Sequence, residues 1–226
     1  MIRLYNVSKE FRSGRRGLDR VTFHVGRGEF VIVTGPSGSG KSSLLRVLFG
    51  ADPPTSGRGI VNGRNLLRID GASLAALRRE VGLVFQDARL IERLSLLDNV
   101  ALAAEVAGFA YHTARTRAAD LLAKVGLERE MSERPLLVSA GQRQKASLAR
   151  ALVNRPVLLL ADEPTGNLDP DASLEIIDLL QEVNSEGTTV LMATHDHETL
   201  TLLRCRTFMM YEGRLAEEET LAAARL

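Results

Sequence analysis

The sequence predicts an α/β domain built on a mostly parallel sheet. Short apolar, β-branched runs alternate with helical stretches along the chain, the order that packs helices on both faces of a sheet. Several runs are continuously apolar rather than alternating, as strands buried on both faces are. Chemistry-bearing residues also follow four of the runs directly, after Thr34, Phe85, Ala161 and Ala193. Ligands of such sheets sit beyond the carboxyl ends of the strands.

Taken in order, residues 2–7 and 21–25 are β-rich, and 30–34 is a continuous β-branched strand. A glycine-rich stretch follows it, then Leu44, Leu45, Val47 and Leu48 at helical spacing. Pro53, Pro54 and Gly57 mark a loop. Residues 81–85 form a further apolar strand, 97–125 an Ala/Leu-rich helical region, and 140–153 a helix stopped near Asn154 and Pro156. Residues 157–161 read as a buried strand, 171–183 as an amphipathic helix, and 189–193 and 207–211 as the closing strands.

Bulk composition narrows the function classes. Hydrophobic residues at 45% supply a real core, and a net charge of +1 gives no electrostatic reason to bind nucleic acid. Aromatics at 4%, with no Trp, argue against a base-stacking platform. The lone Cys205 has no internal partner, which suits a reducing cytosol. The amino terminus lacks a secretory pattern, and the apolar run 100–110 is interrupted by Glu105 and too short to span a bilayer. The expectation is a chain soluble by itself, whose membrane work goes through a partner. Basic residues are lopsided, with 25 arginines to 4 lysines, so the placement of Lys41 is informative.

Gly35 to Ser42 matches the P-loop pattern G-x-x-x-x-G-K-[ST] between a strand and a helix. The glycines let backbone N–H groups turn toward phosphate oxygens at the positive end of the helix. Lys41 would neutralise the β- and γ-phosphates and Ser42 would ligate Mg²⁺. With Ser43, the expected ATP-binding set here is Gly35, Pro36, Ser37, Gly38, Ser39, Gly40, Lys41, Ser42 and Ser43. Asp162 and Glu163 end the apolar strand 157–161. In the P-loop context Asp162 would hold the Mg²⁺ shell and Glu163 would polarise the attacking water.

Val138-Ser139-Ala140-Gly141-Gln142 resembles the signature motif of ABC-type nucleotide-binding domains, which usually reads Leu-Ser-Gly-Gly-Gln. Gln86 is similar to that family's Q-loop glutamine, Asp169 to its D-loop aspartate and His195 to its switch histidine. Phe11 stands where the family stacks an aromatic ring on adenine. The likeness covers essentially the whole chain. It implies a P-loop NTPase fold of the ABC type: a mostly parallel core sheet, an N-terminal antiparallel β part and an inserted helical subdomain. The implied organisation is one domain, 1–226, with a helical subdomain at about 87–154 inserted in a core formed by 1–86 and 155–226.

The resemblance also implies a mechanism. Two domains form a homodimer through composite ATP sites, Ser139, Ala140, Gly141 and Gln142 of one facing the γ-phosphate held by Lys41 of the other. Gln86 would sense Mg²⁺ and the attacking water, and His195 would touch the γ-phosphate. Ala140 departs from the family glycine; if the position requires positive φ or close approach to phosphate, closure across the dimer would weaken and Ala140→Gly would speed turnover or tighten the ATP-bound dimer. Within the family the segments around Arg78, Gln86, Asp98, Asp162 and His195 are most similar to the bacterial cell-division branch. That branch implies an FtsX-like integral membrane partner, further division proteins, and a peripheral location on the cytoplasmic face of the cell membrane. Lipoprotein-releasing and macrolide-export ATPases share most of these segments and are the alternative. DNA-acting relatives would carry a long coiled-coil insertion, ribosome-binding ones a second cassette, and a non-hydrolysing module would lack Glu163 or His195. Leu90, Ile91, Leu94, Leu96 and Leu97 are expected to be mostly insert core, with Leu90 and Leu94 lining a groove for a partner helix. Arg12, Arg15, Arg16, Arg78 and Arg79 read as solvated surface.

Overall fold

Alternation sets the first sheet. From Val21 to Val25 the chain buries Val21, Phe23 and Val25 and exposes Thr22 and His24, the two-residue period of a half-solvated strand. The computed structural model describes residues 1–219; residues 220–226 of the expected domain lie outside the described residues. Strands β1 (Ile2–Glu10), β2 (Arg16–Val25) and β3 (Phe30–Thr34) lead into α1 (Lys41–Leu48). Then come β4 (Ser56–Val61), β5 (Arg64–Asn65), α2 (Gly71–Glu80) and β6 (Val81–Val84). Helices α3 (Leu96–Val106), α4 (Tyr111–Lys124) and α5 (Ala140–Leu152) follow, with a short 3₁₀ turn at Pro135–Leu137. The chain continues through β7 (Leu158–Asp162), α6 (Pro170–Ser185), β8 (Thr189–Ala193), α7 (His197–Leu203), β9 (Arg206–Tyr211) and β10 (Arg214–Glu219).

Two sheets result. One is antiparallel, in the order β2-β1-β4-β5. The other runs β10-β9-β3-β8-β7-β6, parallel from β9 to β6, with β10 antiparallel at its edge. The continuous apolar strands explain themselves here. Leu158 and Leu160 of β7 join the core shared with the antiparallel sheet and α1, while Leu159 and Ala161 join the core under α6. Successive side chains point to opposite faces, and all four are fully buried. Each buried leucine contributes about 1.5–3 kcal/mol.

A third apolar cluster belongs to α3, α4 and α5. The helical region read as 97–125 is two helices. Gly108, at φ +105°, follows α3, and a left-handed glycine ends a helix because no Cβ opposes that conformation. The small residues Ala101, Ala104, Ala114 and Ala118 in this cluster let α3 and α4 pack closely. Helix α2, not anticipated from the pattern, is capped by Asp70, whose carboxylate accepts from the Ser73 N–H at 2.7 Å.

Candidate nucleotide site

The phosphate-binding loop begins where β3 ends. Gly35, Gly38 and Gly40 have φ of +146°, +79° and +117°. A Cβ on Gly35 would lie 2.1 Å from the Met210 carbonyl oxygen of β9, so only glycine fits. No side chain caps α1, which leaves the N–H groups of its first turn for an anion. Lys41 is buried and folds back over the loop, its Nζ donating to the Gly35 carbonyl at 2.7 Å and to the Pro36 carbonyl at 3.2 Å. Ser39 serves through its backbone: its N–H donates to the Pro36 carbonyl at 3.1 Å and its carbonyl accepts from Gly213 at 2.6 Å. Its buried Oγ has no hydrogen-bond partner.

The acidic pair sits at the end of β7. The Ser42 hydroxyl donates to Asp162 Oδ1 at 3.1 Å. Burial raises the Asp162 carboxyl above its usual range, the Ser42 bond draws it partly back, and neighbouring Glu163 raises it further. Glu163 has φ +46°, a left-handed conformation costing of order 1–3 kcal/mol in a non-glycine residue. Its N–H donates to the Ala193 carbonyl at 2.8 Å, fixing it against the end of β8. That strain aims the carboxylate: Oε1 lies 3.0 Å from His195 Nδ1 and 3.6 Å from Lys41 Nζ. Lys41, Glu163 and His195, from three strand ends, thus meet.

Gln86 is exposed just beyond β6 and lines the same cleft of about 500 Å³ as Lys41, Ser42, Ser43 and Glu163. A Cβ on Gly166 would come within 2.9 Å of Gln86 Nε2. Phe11 lies at the edge of this cleft: a Cβ on Gly17, which lines it, would be 2.7 Å from the Phe11 ring and 2.9 Å from Ser43 Oγ. The Arg15 guanidinium stands 5.1 Å from the ring centroid. Arg15 and Arg16 are solvent-exposed, as expected, and also line the cleft, as does Glu212, which pattern reading missed. The dense basic run beside Phe11 was the available signal for the arginines; Glu212 carried none.

The remaining predicted residues lie apart. Ser139 caps α5 in a reciprocal box, its Oγ accepting from Gln142 N–H at 3.1 Å while Gln142 Oε1 accepts from Ser139 N–H at 2.9 Å. Ser139 and Ala140 are exposed, and Gly141 is buried against Ala172 of α6, where a Cβ would stand 3.0 Å from the Ala172 Cβ. Asp169 caps α6, accepting from Ala172 N–H at 2.9 Å. None of Ser139, Ala140, Gly141, Gln142 and Asp169 lines the phosphate cleft. Ala140 does not adopt positive φ: it is the first residue of α5 and is not among the left-handed residues.

A second cleft, of about 660 Å³, opens behind β6, with Phe85, Ile91, Leu102, Val106 and Arg150 in its walls and Arg78, Arg79 and Arg89 among its basic residues. Leu90 and Leu97 pack instead against the helical cluster, Leu96 is fully buried within it, and Leu94 does not line the groove. The exposed apolar residues here are Ile91, Leu102 and Val106.

A glycine cradle at a strand–helix junction, a lysine folded into it and two carboxylates on a neighbouring strand end define a P-loop nucleotide-binding domain. The sequence model described as "ABC transporter" matches residues 18–166. The chain is 44% identical over 220 residues to the cell division ATP-binding protein FtsE of Mycobacterium tuberculosis, covering 97% of this chain and 96% of that one. It is 41% identical over 215 residues to the FtsE of Escherichia coli, covering 95% and 97%. A dimeric post-hydrolysis state of the ATP-binding cassette MJ0796 bound to ADP and Pi superposes with a TM-score of 0.89 at 34% identity, over 99% of this chain and 100% of that one. The chain belongs to the ABC transporter family.

Proposed function

We propose that this chain is the ATP-binding and hydrolysing subunit of a bacterial cell-division complex. It works as a homodimer on the cytoplasmic face of the membrane, beneath an FtsX-like integral membrane protein. The observation that carries the hydrolytic reading is the Glu163 carboxylate held between Lys41 and His195 at the mouth of the glycine cradle. The division role is supported by relatives named FtsE that match nearly the whole chain. No helix among the described residues is long and apolar enough to cross a membrane.

ATP enters with its phosphates in the cradle, and Lys41 exchanges the Gly35 and Pro36 carbonyls for β- and γ-phosphate oxygens. There Glu163 would orient a water and accept its proton. His195 steadies that carboxylate and reaches the γ-phosphate. Ser42 and Asp162 are hard oxygen donors 3.1 Å apart, and together with Gln86 they fit Mg²⁺. Among the described residues no three His, Cys, Asp or Glu side chains converge on a metal site. Held there, the ion would neutralise charge that develops on the phosphates. Phe11 would stack on adenine. Ser139, Ala140, Gly141 and Gln142, with Asp169, would complete the opposite subunit's site. Residues 87–154 would form the inserted helical subdomain within the core of 1–86 and 155–226. The groove around Ile91, Leu102 and Val106 would receive a short helix of the membrane protein.

Glu163→Gln with ATP, used as bait on native membranes, tests the assignment. Loss of the water-orienting carboxylate holds the ATP-bound dimer on its partner. Recovery of an FtsX-like protein supports the division role. Recovery of a lipoprotein-releasing or export permease keeps the ATPase and overturns that role.

A further inference from the structure

Residues 85–89 span two clefts. Gln86 lines the phosphate cleft, while Phe85 and Arg89 line the groove behind β6. The backbone between them is irregular, with Ala88 and Arg89 consecutively left-handed at φ +55° and +48°, a conformation that persists only where the surroundings over-determine it. Helix α5 supplies the determination. Gln144, almost fully buried, donates from Nε2 to the Phe85 carbonyl at 2.9 Å. Arg150 donates from Nη1 to the Arg89 carbonyl at 2.6 Å and from Nη2 to the Ala88 carbonyl at 2.7 Å. These main-chain bonds occupy the fork: among the described residues Arg150 forms no ion pair with a carboxylate, although burial disfavours its charge. The Arg89 guanidinium, 4.1 Å from the Phe85 ring centroid, closes the segment on itself.

We infer that Gln144 and Arg150 are positioning residues for ATP hydrolysis: they fasten segment 85–89 to α5, so that the reach of Gln86 into the phosphate cleft is set by the helix whose first turn carries Ser139. The inference rests on the proposed role of Gln86 in the reaction. Three carbonyls of the segment are tied to one helix, and the fork at Arg150 holds two neighbouring ones at once through two separate nitrogens in a fixed planar geometry. Arg150 also forms part of the groove wall, so a helix seated there presses on the residue that holds the loop.

The test is steady-state ATPase kinetics on the full chain, with Gln86→Ala, Arg150→Ala and the double variant. Arg150→Ala should lower kcat about 10-fold or more and leave KM within about twofold, because the cradle is untouched and only the alignment of Gln86 is lost. Arg150→Lys should recover part of that loss. On the Gln86→Ala background, Arg150→Ala should cost no more than about twofold further, since both act through one group. Losses that multiply overturn the positioning role and leave Gln86 in place. Gln86→Ala with normal kcat overturns both. If Arg150→Ala lacks a cooperative thermal transition, Arg150→Lys and Gln144→Leu carry the same cycle, and multiplying losses overturn the positioning role there too.

Discussion

The glycine cradle and the Ser139–Gln142 turn are both proposed to contact nucleotide, yet the fold treats them differently. At the cradle, residues from β3, α1, β7 and β8 converge: Lys41 is buried, Ser42 is bonded to Asp162, and Glu163 contacts both Lys41 and His195. At the other motif every polar contact is local. Ser139 and Gln142 cap each other, and the outer face of Ser139 and Ala140 is open to solvent. A site assembled from several elements within one chain is preorganised before its ligand arrives. A motif that only caps its own helix is proposed to meet a ligand held by a second molecule.

The largest expected effect lies on the assembled side. Lys41→Ala and Glu163→Gln should each lower kcat by roughly 10²–10⁴-fold, and Glu163→Gln should still bind ATP, as equilibrium dialysis would report. Next comes a mixing experiment that could break the comparison outright. Lys41→Ala and Ser139→Ala homodimers should each be impaired, but mixed equally they should regain up to about a quarter of wild-type turnover. Half of the dimers then carry one site with both residues intact. Absence of recovery would mean that the Ser139 motif serves its own chain.

A smaller effect concerns Asp162. Its folded-state carboxyl titrates above the ordinary aspartate value of 3.8, with burial as the main cause. A raised carboxyl stabilises the fold below its unfolded value, and that contribution is lost as pH rises through the folded one. At pH 7 the nucleotide-free protein therefore carries a penalty that Asp162→Asn removes. Calorimetry should find Tm higher by about 2–4 °C for each kcal/mol relieved. The gain should shrink as the pH falls through the carboxyl's own titration, while Mg²⁺-dependent hydrolysis is lost. The smallest effect is Ala140→Gly. Placed at a helical position, the glycine should lower stability by up to about 1 kcal/mol. A clear gain in turnover would show instead that close approach to phosphate governs this position.

Both clefts show how far pattern reading reaches. Gly35, Gly40, Lys41 and Ser42 were legible because consecutive residues build the cradle, and its geometry is local. Asp162, Glu163 and His195 were legible as strand-end residues. Arg15, Arg16 and Glu212 join them because β1–β2 and β9–β10 fold over the P-loop, and for Glu212 nothing in the sequence announces it. In the helical lobe, Leu90 and Leu94 look equivalent to Ile91 along the chain. Which of them faces the groove depends on how 85–96 turns before α3, and the left-handed pair Ala88 and Arg89 sets that turn.

From the sequence alone came the α/β class, the order of the main strands, and the identity of the cradle residues. These follow from periodicity and from motifs whose members are neighbours in the chain. Only the tertiary structure decided that the helical region divides at Gly108, that Glu163 is strained toward Lys41 and His195, and that α5 grips segment 85–89 through Gln144 and Arg150. The last of these pairs residues about sixty positions apart. Such contacts are set by packing, to which hydrophobic pattern contributes the faces but not the register between them.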